Sequence, residues 1–177
     1  MNTRIESDLL GELNVPFDAY YCVQTQRAIE NFNISSARLS HYRHFIWGLG
    51  VVKLAAVRAN HELGLIATPL KEAIEKACED VIQGKLDSQF PIDMIQGGAG
   101  TSVNMNANEV IANKALEYLG YGKGEYVHCS PNDHVNMSQS TNDAYPTAIK
   151  MGLLKMNDDL KQHLERLIES FKKKGES

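Results

Sequence analysis

Residues 142–173, NDAYPTAIKMGLLKMNDDLKQHLERLIESFKK, decide the fold. Ile149, Leu153, Met156, Leu160, Leu164, Leu167 and Phe171 recur at spacings of three and four, so they share one face of a single long helix, the seam of a helix bundle. A helix cannot bury such a stripe alone, so its partners are expected from another copy of the chain or from further sequence. Pro146 falls in the first turn, where a missing N–H costs little.

Upstream, three shorter helices are expected. From His41 to Leu63, Phe45, Leu49, Val52, Ala56 and Ala59 mark an apolar face that ends at Gly64. Thr68 as N-cap and Pro69 as first helical residue open the next, with Leu70, Ile74, Ala77 and Val81 inward and a stop at Gly84. The third begins just after Thr101, turns Ala107, Val110, Ile111 and Ala115 inward, and ends at Gly120. Before His41, Gly11, Pro16 and Asp18 break any period, so residues 4–33 read as an extended arm with a small hairpin.

Composition narrows the function classes. The chain has 177 residues, 43% hydrophobic and 23% charged, ordinary for a globular protein, with net charge −4. Basic residues are scattered apart from Lys172–Lys174, which argues against a nucleic-acid partner. The charged N-terminus and the lack of a long apolar run argue against a signal peptide or membrane span and for a soluble, cytoplasmic protein. Cys22, Cys78 and Cys129 are odd in number and lack CxxC spacing, so reduced thiols are expected and no metal site.

Two polar segments, each preceding a helix, hold whatever chemistry there is. One is Gln96–Asn106, QGGAGTSVNMN; the other is Ser130–Asn142, SPNDHVNMSQSTN, with eight hydroxyl or amide side chains in thirteen residues. A helix N-terminus presents unpaired N–H groups and partial positive charge, so Thr101 at one end and Ser140, Thr141 and Asn142 at the other suit a carboxylate or phosphate, with Gly97, Gly98 and Gly100 letting backbone approach it. The plainer alternative makes Ser140 or Thr141 an N-cap and the glycines a turn. GGAGTS lacks the Lys of a P-loop and is not GxGxxG after a strand, so no nucleotide cofactor is expected. His134, inside the polar segment, is a candidate acid–base group but reads equally well as structural; His41 and His44 receive no role. The sequons at Asn33 and Asn136 carry no weight without a secretion signal.

The same residues resemble the aspartase/fumarase superfamily. Arg4–Gly11, RIESDLLG, with Ala19–Ala28 and Asn31-Phe32, is similar to the family's N-terminal arm; Gly100–Glu109, GTSVNMNANE, and Asn136–Asp143, NMSQSTND, are similar to its first two active-site regions. The resemblance spans the whole chain but only the first third to two fifths of a typical member. It implies a mainly α N-terminal domain over residues 1–140 (arm 1–40, helical part 41–140) and, from 141 to 177, the start of a central bundle through which members form homotetramers.

Ser140–Thr147, STNDAYPT, is closer to the aspartase form than to the fumarase form. That implies removal of ammonia from L-aspartate to give fumarate, by anti elimination through an aci-carboxylate and with no cofactor. Thr101, Ser140 and Thr141 would hold the carboxylate and Asn142 the amino group, with Gly100, Ser102, Asn104 and His134 in support. A fumarase-type lyase acting on malate, or a non-catalytic helical module, are the alternatives. The family's serine base, on a glycine-rich loop with a nearby lysine, and its Thr-His pair have no counterpart here, so the chain alone is expected to be inert. Two departures stand out: Cys22 replaces a glycine of the arm, and Ser130 a histidine of a secondary dicarboxylate site.

Overall fold

A computed structural model describes residues 2–176. It is mainly helical. An antiparallel hairpin, β1 (Thr3–Asp8) and β2 (Gly11–Pro16), is followed by five helices: α1 (Val23–Asn31), α2 (Arg43–Glu62), α3 (Thr68–Ile82), α4 (Thr101–Tyr118) and α5 (Thr141–Gly175). A single π-helical turn, Pro131–Val135, precedes α5. No helix among the described residues is long and apolar enough to cross a membrane.

α2, α3 and α4 pack on one another around Ile46, Leu49, Ile74, Ala77, Val81, Val103, Val110, Ile111 and Leu116, all buried. The first three to four turns of α5 then cross α2 on small residues. A Cβ at Gly48 would collide with the carbonyl of Ala148, and one at Gly152 would stand 3.0 Å from the carbonyl oxygen of His44. Such contact suits glycine. Beyond the crossing α5 runs outward, tied to α2 by His44 Nε2 at 3.0 Å from Asp159 Oδ2. Its stripe faces solvent, with Leu164 47% and Phe171 69% exposed.

Three expectations need correction. The arm contains a helix, α1, whose N-terminus has no local cap; the buried Glu109 carboxylate of α4 instead accepts from the N–H groups of Cys22 (2.9 Å), Gln24 (2.9 Å) and Thr25 (3.1 Å). A nine-residue helix held by a partner some 85 residues away leaves no local signal. Thr68 is the first helical residue of α3 and not its N-cap, which is Ala67, without a side-chain bond. The buried face of α2 is rotated from the expected one: Ile46, Leu49, Lys53, Val57 and Asn60 are inside and Ala59 outside. Two polar residues lie in that stripe, so a rule counting apolar residues drifts onto the neighbouring face. α4 stops at Tyr118, and Gly120 serves as the left-handed residue beyond its cap, with φ +83°.

Candidate functional site

The N-termini of α4 and α5 meet. Gly98, Ala99 and Gly100 all have positive φ (+79°, +54° and +91°), a coil that brings the chain into α4 at Thr101 with Gly100 flat against the ring of Tyr145 on α5. Ala99 in this region is strained, the kind of local cost that persists where surrounding structure imposes it. Tyr145 is itself held edge-on against Phe45, with ring centroids 5.6 Å apart.

At α5 the N-cap is Ser140. Its Oγ accepts from Asn142 N (3.1 Å), and its own N–H donates to Asp143 Oδ1 and Oδ2, both at 3.1 Å, closing a capping box. The capping alternative thus holds for Ser140 and fails for Thr141, which lies inside the helix. Thr141 Oγ1 instead accepts from Asn104 Nδ2 at 3.4 Å, a long bond reaching across from α4. Asn142 is exposed on the same turn. Thr101 is exposed too, its hydroxyl donating to the Gly98 carbonyl at 2.6 Å.

Asn104 is the link between the two helix ends. Buried at 2% exposure, it donates from Nδ2 to Asn136 Oδ1 (3.0 Å) as well as to Thr141, and its Oδ1 accepts from Lys53 Nζ (2.8 Å). Lys53 also donates to Asn136 Oδ1 (3.0 Å) and Gln139 Oε1 (2.9 Å). Burial pulls this ammonium down to about 7. Sequence reasoning missed Lys53. The available signal was a lysine at the i+4 position of Leu49, on a helix whose buried positions are apolar apart from Lys53 and Asn60.

The remaining expected residues sit beside this cluster. His134 accepts through Nδ1 from Ser130 N (2.8 Å), and Ser130 Oγ caps the π-helical turn by accepting from Asp133 N (3.1 Å), so this imidazole braces the turn. Ser102 lines a cavity of about 700 Å³ shared with Arg27, Cys22 and Asn132. That cavity, between the hairpin, α1, α4 and the π-helical turn, does not include Thr101, Ser140, Thr141 or Asn142. Cys22 fits at the arm without a left-handed backbone, its φ being −134°. No group of three or more His, Cys, Asp or Glu positioned to hold a metal ion occurs among the described residues.

The arrangement brings two helix N-termini together with the exposed Thr101, Ser140 and Asn142 and the half-buried Thr141, groups of the kind that can bind an anion. The chain is similar to known proteins over nearly its whole length. A family model described as Lyase matches residues 11–177. Aspartate ammonia-lyase of Pseudomonas aeruginosa is 56% identical over 174 residues, covering 98% of this chain and 37% of that protein; the Escherichia coli K12 enzyme of that name is 52% identical over 175 residues, with 98% and 37% covered. Among solved structures, the fumarate lyase:delta crystallin of Brucella melitensis, in its native form, superposes with a TM-score of 0.94 at 52% identity, covering 96% of this chain and 40% of the other. A class II fumarase of Schistosoma mansoni gives 0.79 at 38%, with 85% and 32% covered. The chain spans about 37% of the length of the curated relatives it matches.

Proposed function

This chain belongs to the lyase family, and from that premise we propose that it supplies the substrate-carboxylate part of an aspartate ammonia-lyase site that releases ammonia from L-aspartate to form fumarate. The observation that carries the reading is the bond from Asn104 Nδ2 to Thr141 Oγ1. It occupies a lone pair of the hydroxyl and leaves the O–H free to donate outward, to a carboxylate at the two helix ends. Ser140 has the same property, since its oxygen accepts from Asn142 N.

When the Cβ proton leaves, charge accumulates on that carboxylate as the aci form. Donors already aimed at it strengthen as the charge grows and do not need to reorganise. Asn142 offers an acceptor for the substrate ammonium and a donor for a carboxylate from one amide. Thr101 joins only after giving up its bond to Gly98. The base that takes the proton lies, on this reading, in family regions without a counterpart in these residues.

The exposed stripe of α5 serves assembly: Leu153, Leu160, Leu164, Leu167 and Phe171 are each about half exposed or more, a large apolar face on an otherwise charged helix. We assign it to a homotetrameric bundle, and the buried free thiols Cys22, Cys78 and Cys129 suit the reducing cytoplasm. The division into an N-terminal domain to residue 140 and a bundle from 141 belongs to the same reading. The test is fumarate release by the assembled enzyme from L-aspartate and from malate. Turnover of aspartate alone supports the proposal; turnover of malate alone makes it a fumarase, the reading that the Schistosoma mansoni likeness favours.

A further inference from the structure

Lys53 is 1% exposed, and no other lysine or arginine among the described residues is buried. It has no carboxylate at ion-pair distance. Its three protons go to three neutral amide oxygens, on Asn104, Asn136 and Gln139. α3 faces it with the Cys78 thiol, whose pKa burial pushes up, and α5 with Asp143; α4 and the segment after the π-helical turn face it with amides. Asp143 is exposed and already engaged with the Ser140 N–H. A buried cation without a counter-ion is costly, and sites that keep one generally have a use for the charge.

The hydrogen bonds give it a second consequence. The Lys53 ammonium can only donate, so while it is charged the oxygen of Asn104 faces Lys53 and its NH₂ faces Asn136 and Thr141. The orientation of the Thr141 hydroxyl is thereby set from Lys53, two side chains away. Gln139, the third acceptor, is next to the N-cap Ser140, so the same ammonium also anchors the entry into α5.

We propose that Lys53 is a positioning residue for the anion site, holding the Asn104–Thr141 pair and the start of α5 in place and supplying the positive charge that a bound dicarboxylate completes, so that binding the dianion and keeping the Lys53 proton are coupled. This rests on the reading of the two helix ends as a carboxylate site. Lys53 touches no substrate in this arrangement and acts through Asn104, Gln139 and its charge.

Burial leaves the Lys53 proton bound with a midpoint of about 7, so an arriving dianion raises that midpoint and draws a proton in. The experiment is calorimetry of fumarate binding to the assembled enzyme about one pH unit above this midpoint, in two buffers of different ionisation enthalpy. A substantial fraction of a proton should be taken up per fumarate bound, and affinity should fall as pH rises through the same window. In Lys53→Met the uptake and the pH dependence should vanish together, with fumarate about tenfold or more weaker at acidic pH. A wild-type enzyme that binds fumarate without proton uptake overturns the proposal, as does uptake that persists in Lys53→Met. If Lys53→Met does not fold, the wild-type measurement decides alone. Fumarate that does not bind the wild-type enzyme overturns the carboxylate-site reading and this proposal together, whereas binding without uptake removes only the role of Lys53.

Discussion

Gly100 stands so close to the Tyr145 ring that a Cβ there would lie 2.5 Å from ring carbons. The contact sets how near the N-terminus of α4 comes to that of α5. Gly100→Ala should therefore be penalised twice, by φ +91° and by overlap with the ring. Together these should remove about 2–4 kcal/mol of stability. Urea melts of the two proteins would measure it, and a loss below about 0.5 kcal/mol would mean that Tyr145 swings aside.

Ser140 and Thr141 are adjacent, yet their alanine variants should fail differently. Ser140→Ala removes an N-cap and should cost about 1 kcal/mol in a thermal melt, with any loss of catalysis added to it. Thr141→Ala should leave the melt nearly unchanged and lower kcat for L-aspartate about 10²–10³-fold, as expected for a donor that matters most in the transition state. Initial rates paired with melts on the same preparations separate the two, and a Thr141→Ala enzyme of normal kcat would remove it from the site.

Asn142 should behave differently again, because an amide holding the ammonium acts already on bound substrate. Asn142→Ala should raise KM for L-aspartate as well as lower kcat. Binding of fumarate, which lacks the amino group, should change less, and inhibition constants for fumarate would check this.

The outer half of α5 should govern assembly. Leu160→Glu with Leu164→Glu places two carboxylates on the apolar face without touching the α2 crossing at Gly48 and Gly152. The doubly substituted protein should dissociate in light scattering while keeping its helical circular dichroism; an unchanged mass would mean that the face is not an interface.

Lys53 also predicts a pH dependence of stability. Its folded-state midpoint of about 7 lies below the ordinary lysine value of about 10.4. Between these values the unfolded chain binds a proton that the folded chain has released, so rising pH favours the folded state, by at most about 1.4 kcal/mol per pH unit. Below about pH 7 both states hold the proton and this contribution is flat. Denaturation curves of wild type and Lys53→Met over that range should differ by this slope, which cancels groups common to both; parallel curves would place the Lys53 midpoint near the ordinary value.

What the sequence determined by itself was whatever depends on period and local chemistry. The length and apolar stripe of α5, the apolar faces of α3 and α4, the hairpin, and the two polar segments ahead of helices follow from spacing and glycines, because these features act within one or two turns. Family resemblance then supplied roles for Thr101, Thr141 and Asn142 that composition alone leaves open against a plain capping reading.

Only the tertiary structure decided what depends on partners far along the chain. α1 exists because Glu109, on another helix, caps it. The inward face of α2 is set by Lys53 and Asn60, whose burial is tolerated because Asn104, Asn136, Gln139 and the Met137 carbonyl receive their protons. Ser140 rather than Thr141 became the N-cap, and Asn104 became the bridge between helix ends. A polar residue's place is decided by where its hydrogen-bond partners stand once the chain has folded, and that is a property of three dimensions that no periodicity carries.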